Sequence, residues 1–80
     1  MRIFRKPKSG CFVIKTPTGY VGRYSMDHPY TARMPSQKAA AFLTIGEAQN
    51  FLDWVARGKV KWNGGVSDIA KAEIVWEEDA

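Results

Sequence analysis

The sequence predicts an α+β fold in which one helix packs across one face of a small antiparallel sheet, and three observations carry that reading. CFVIKT and YVGRYS, both rich in β-branched and aromatic residues, flank Pro17-Thr18-Gly19. Thr44-Ile45-Gly46-Glu47 opens a stretch whose apolar residues recur at helical spacing, and Ala72, Ile74 and Trp76 alternate strictly near the end. A lone helix cannot hide its apolar stripe and a two-stranded hairpin is marginal in water. The simplest arrangement burying both is β-β-β-loop-α-β, a single domain over residues 1–80.

Taken in order, Arg2 to Arg5 reads as a short strand that ends by Lys6, because Pro7 removes a donor and restricts its predecessor. Lys8, Ser9 and Gly10 form a turn. Cys11–Thr16 and Tyr20–Ser25 are the next two strands. Between them Pro17 suits the second position of a type I turn, and Gly19 the left-handed conformation that closes a three-residue loop with a bulge. With Thr16 facing Tyr20, Ile14 faces Gly22 and Phe12 faces Tyr24. The large apolar groups then lie on the core side, leaving Val13, Lys15, Val21 and Arg23 as a mixed basic face for water. Gly22 is expected to let Phe12 or Tyr24 pack over the backbone.

Met26 to Lys38, MDHPYTARMPSQK, contains two prolines and no period, and reads as a long loop. Ala39 to Leu43 continues extended. Thr44 and Glu47 then match a capping box for a helix from Ile45 to Arg57, with Ala48, Phe51, Leu52 and Val55 on the buried face and Gly58 as its left-handed stop. Lys59–Trp62 leads into Asn63-Gly64, a favoured hairpin turn, so residues 59–71 are a candidate hairpin. In the closing strand Ala72, Ile74 and Trp76 point inward while Glu73, Glu77 and Glu78 keep the segment soluble. The helix is expected to rest on Phe12, Ile14, Ile74 and Trp76.

Composition narrows the function classes. With 45% hydrophobic and 25% charged residues the chain is too apolar for intrinsic disorder. Cys11 is the only cysteine, which excludes an intrachain disulfide and fits a reducing, cytoplasmic setting. MRIFRKPKSG lacks the apolar run of a signal peptide, and no apolar stretch is long enough for a membrane span. Charge is uneven. From Met1 to Leu43 eight basic residues stand against one acid, Asp27, and from Thr44 onward four face seven acids. Such polarity favours contact with something acidic through the first half, either an acidic protein surface or nucleic acid.

No catalytic residues, cofactor site or metal site is expected. Asp27 and His28 are adjacent in sequence, and adjacent side chains rarely converge as orienter and base. One cysteine and one histidine cannot make a zinc set, and the glycines lack phosphate-loop spacing. Tyr20, Tyr24 and Tyr30 interleave with cations, as a nucleic-acid surface requires, yet no helix-turn-helix, zinc-finger or RNP motif accompanies them. Trp54 and Trp62 are read as closing the edges of a small core.

The pairing of FVIKTPTGYVGRYS with KAAAFLTIGEAQNFL resembles short accessory proteins of phages and mobile elements: an N-terminal hairpin, then a phenylalanine, a threonine cap and a Glu-Ala helix. These motifs belong to a fold and carry no site residue. The resemblance implies small proteins that bind and block or redirect a larger host protein, including inhibitors of bacterial defence such as anti-CRISPR proteins, acting in the host cytoplasm. The expectation is therefore a non-enzymatic protein-binding inhibitor or adaptor, whose partner is a host or defence protein with an acidic or nucleic-acid-binding surface. A small basic nucleic-acid-binding protein is the alternative. The loop supplies Tyr30, Arg33 and Met34, residue types enriched in interface cores, and the hairpin face adds Lys15 and Arg23; these five are the candidate contact residues.

Overall fold

The computed structural model describes residues 10–78, with Val66 described by its backbone alone. The strand expected at Arg2–Arg5 lies outside the described residues. The rest is a four-stranded antiparallel sheet of order β3-β2-β1-β4 with one helix across it, an α+β fold as expected. The strands are β1 (Cys11–Thr16), β2 (Gly19–Gly22), β3 (Thr31–Met34) and β4 (Glu73–Glu77), and the helix is α1 (Ile45–Ala56).

The β1–β2 hairpin closes through two residues, not three. Lys15 pairs with Tyr20 and Thr16 with Gly19, whose φ of 150° needs no Cβ. That one-residue difference reverses the expected faces of β2, because side chains alternate along a strand, while β1 keeps Phe12 and Ile14 on the helix side. Val21 joins Ile14 beneath the helix, Val13 is buried on the opposite face, and Tyr24, expected inside, is 63% exposed.

Beyond the turn β1 and β2 receive an inserted segment, Ala39–Phe42. Ala40 donates to the Val21 carbonyl at 2.9 Å, and Phe12 and Phe42 exchange backbone bonds of 2.8 and 2.9 Å. Consecutive alanines suit a strand-like segment squeezed between two others, since small side chains leave room on both faces. Its alternation serves both: Ala40 and Phe42 enter the helix-side core, Ala39 and Ala41 the cluster with Cys11 and Val13. Gly22 bridges Ala39, and a Cβ at Gly22 would overlap the Lys38 carbonyl oxygen. The close neighbour that requires glycine is thus a backbone, not the ring of Phe12 or Tyr24.

The expected thirteen-residue loop contains β3 and a 3-10 turn at Ser36–Lys38. Tyr20 pairs with Met34 and Gly22 with Thr31, so three steps on β3 oppose two on β2, which is a bulge. The bulge turns the Ala32 carbonyl toward the hairpin, where the Thr16 and Thr18 hydroxyls donate to it at 3.0 and 3.1 Å. The Arg33 amide bonds back to Thr31 Oγ1 at 2.9 Å, which, with the bulge, blunts this margin of the sheet.

Helix α1 begins where the cap predicts: Thr44 Oγ1 accepts from the Glu47 amide at 3.1 Å. Glu47 Oε1 reaches back one residue further than a capping box does, to the Leu43 amide. The helix ends at Ala56 with Arg57 as its cap. Gly58 at φ 73° donates to Val55 and Lys59 to Trp54, the paired bonds of a Schellman stop. Ala48, Phe51 and Val55 are buried, and Phe51 packs edge-on against Tyr30 (4.9 Å between centroids) and obliquely against Phe42. Leu52 is half-buried, packed on the same core with Phe12 and Ile74. Trp76, expected beneath the helix, stays 50% exposed and meets the Phe12 ring edge-on at 5.0 Å.

Residues 59–71 do not form a hairpin. Lys61–Asn63 runs beside Tyr30 instead, with bonds from Tyr30 to the Lys61 carbonyl (2.9 Å) and from Asn63 to the Tyr30 carbonyl (2.8 Å). Trp62 packs on the core and its Nε1 donates to the Gly65 carbonyl, turning the chain into the 3-10 turn at Val66–Ile69. β4 follows as expected. Ile74 lies opposite Ile14 and Trp76 opposite Phe12.

Candidate partner-binding surface

The five residues singled out from the sequence fall into two groups. At the turn end of the sheet, Lys15, Tyr20 and Met34 form one row across three strands, and Glu73 extends it on β4. Lys15 is exposed, its ammonium 5.9 Å from the Tyr20 ring centre, and Met34 is half-buried. The Tyr20 hydroxyl donates to Glu77 Oε2 at 3.0 Å, fixing the ring across the sheet. Arg33, exposed on the bulge of β3, has its backbone beside Gly19.

Arg23 and Tyr30 sit at the far end of β2. Tyr30 is only 7% exposed and belongs to the core, which corrects its assignment as a contact residue. Its hydrophobic wall explains why it was attractive in sequence: an aromatic in an aperiodic stretch reads as a surface anchor until Lys61–Asn63 and Phe51 are seen around it. Burial pushes the Tyr30 phenol above its ordinary value of 10.0, with the Arg23 charge opposing. The Arg23 guanidinium lies over the Tyr30 ring at 4.6 Å, and its Nη1 donates to the Met26 carbonyl at 3.3 Å.

Arg23 thereby braces a lobe, residues 23–29, whose first part, Arg23–Ser25, is expected from sequence to continue the second strand and whose remainder is expected to open the loop. The His28 amide donates to the Ser25 carbonyl at 3.1 Å, and Ser25 Oγ and His28 Nδ1 share a bond of 2.7 Å. Lys38 donates to the Tyr24 carbonyl at 3.2 Å and holds its ammonium 5.4 Å from the Tyr24 ring centre, while the His28 ring meets Tyr24 at 72°. The lobe carries Tyr24 at 63% exposure and Met26 at 72%, although its backbone is tied at three points. The available sequence signal for them was the register: with a two-residue turn, β2 ends at Gly22 and Tyr24 leaves the sheet.

His28 is engaged with Ser25, not Asp27, and Cys11 is buried in the cluster opposite the helix. Among the described residues no group of three His, Cys, Asp or Glu side chains could hold a metal ion, and no helix is long and apolar enough to cross a membrane. A shallow groove of about 380 Å³ separates Pro17 and Thr18 from Ser67, Asp68, Ala70 and Lys71, and offers one carboxylate and one ammonium without an imidazole or thiol. Comparison with family models, curated proteins and solved structures finds no match for this chain.

Proposed function

We propose that this protein acts stoichiometrically, by binding another protein, and performs no catalysis. The observation that carries the reading is the lobe of residues 23–29: two large apolar side chains held in water on a backbone that Arg23, Lys38 and His28 pin in place. Exposed apolar groups are a standing solubility burden, and ordering them in advance lowers the entropy cost of binding. The resemblance of its sequence motifs to phage accessory proteins implies the partner class we propose, a host or defence protein with an acidic or nucleic-acid-binding surface, met in the host cytoplasm.

The test is affinity capture from host lysate, with and without nuclease, using wild type and a Tyr24→Ser/Met26→Ser variant. Both side chains are exposed, so the variant keeps its fold. A nuclease-resistant partner lost by the variant supports the reading. Capture of nuclease-sensitive material alone supports the alternative, nucleic-acid binding, which the row of Lys15, Tyr20 and Met34 with nearby Arg33 favours by placing aromatic and cationic groups together. In that case affinity falls steeply with salt, and Lys15→Ala or Arg33→Ala flattens the dependence.

A further inference from the structure

Resting on the reading just given, we propose that Met26 and Tyr24 are paired anchors for an apolar socket rimmed by carboxylates on a folded acidic protein. The apolar part follows from exposure. Met26 and Tyr24 are among the most exposed large apolar side chains of the described residues, more so than Trp54 (49%) and Trp76 (50%). Methionine adapts to irregular cavities, and tyrosine adds a rigid body with one polar tip, the combination that packs well in the core of an interface.

The acidic rim follows from charge. Between Gly10 and Leu43 the described cations are Lys15, Arg23, Arg33 and Lys38, against the single acid Asp27. Two of them flank the anchors directly: Arg23 reaches the Met26 carbonyl and Lys38 the Tyr24 carbonyl. Like-charged partners would be repelled by this surface, and carboxylates around the socket would be drawn to it.

Nucleic acid satisfies the same charge but not the same geometry. Base stacking needs an open ring face. On the lobe the Lys38 ammonium stands over the Tyr24 ring and the His28 ring meets it edge-on. Met26, the most exposed of these groups, has no use for a phosphate backbone. A socketed protein surface uses every one of these features.

The deciding experiment places the photo-crosslinking residue p-benzoylphenylalanine singly at position 24, 54 or 76 of the full chain and irradiates each variant in host cells. Positions 54 and 76 are exposed on α1 and on the edge strand β4, elements outside the lobe. The expected result is a protein adduct from position 24 alone, with the crosslinked peptide lying in an acidic patch. Met26→Ala should then weaken binding of that protein by roughly tenfold or more, and Met26→Leu much less. A protein adduct from position 54 or 76 but not 24 overturns the anchor assignment and leaves the protein-binding reading standing. Adducts to nucleic acid from position 24, or a basic crosslinked patch, overturn the acidic-socket proposal. Silence at all three positions overturns both.

Discussion

The same substitution, glycine to alanine, should have three different outcomes at three glycines, and together they test the account of the fold. At Gly22 a methyl meets the carbonyl oxygen of Lys38 and crowds Ala39 Cα at 3.2 Å. The obstacle is backbone held by the Ala40–Val21 and Phe12–Phe42 bonds, so it cannot swing aside as a side chain would. Overpacking costs about 1–3 kcal/mol, and a backbone obstacle places Gly22→Ala at the upper end. A chain of this size holds only about 4–12 kcal/mol in total, so the melting temperature should fall by roughly 12–24 °C. At Gly46, in the first turn of α1, the nearest atom to a new methyl is Thr44 Oγ1 at 3.8 Å, and φ is ordinary. Gly46→Ala should stabilise the protein by about 0.5–1 kcal/mol, because alanine loses less backbone freedom on entering a helix. At Gly58 nothing lies within 4 Å, but φ is 73°. Gly58→Ala should cost about 1 kcal/mol from conformation alone. Urea melts followed by tryptophan fluorescence and far-ultraviolet circular dichroism give all three values. Gly22→Ala within about 0.5 kcal/mol of wild type would refute the inserted segment, and a destabilised Gly46→Ala would refute the placement of the helix start.

Phe51→Ala should cost about 3–5 kcal/mol because the ring is buried against Tyr30 and Phe42, whereas half-buried Leu52 should cost less on truncation, about 1–2 kcal/mol; equal losses in urea melts would contradict the packing. Thr44→Ala should remove about 1 kcal/mol with the hydroxyl that accepts from Glu47, and Thr44→Ser should restore most of it. Burial raises the Tyr30 phenol in the folded state. The contribution is therefore complete below the unfolded value of about 10 and is lost as pH climbs from there toward the folded value. Phenolate absorbance should show a late-titrating component that disappears in Tyr30→Phe, along with part of the alkaline loss of stability.

What could be read from the sequence was whatever depended on local chemistry. The helix from its threonine cap to Gly58 and the closing strand with Ile74 on the core side follow from periods and caps that neighbours in sequence determine. The register of the first hairpin was not legible, because Pro17-Thr18-Gly19 suits a two-residue or a three-residue loop, and one residue exchanges the two faces of β2. Strand β3 was hidden by its own bulge: an extra residue between Thr31 and Met34 destroys the alternation that identifies strands. Of the candidate contacts, Lys15 and Arg33 were legible as exposed cations, but Tyr30 was misplaced because its cover comes from Phe51 and Lys61–Asn63, far along the chain. Tyr24 and Met26 were missed for the converse reason.

The lobe and the fold meet at one residue, Lys38. Its carbonyl oxygen sits against Gly22 and so helps set where the inserted segment enters the sheet, while its ammonium holds the Tyr24 carbonyl. Backbone and side chain therefore do separate jobs, which lets the two be pulled apart. Lys38→Met keeps the carbonyl and the stem but removes the tie and the charge, so it should leave the melting temperature nearly unchanged while loosening the lobe. Gly22→Ala should displace the Lys38 backbone and disturb both together. That asymmetry follows only if the exposed anchors are held from the sheet side by Arg23 and Lys38; a lobe ordered by its internal Ser25–His28 bonds alone would respond to neither substitution.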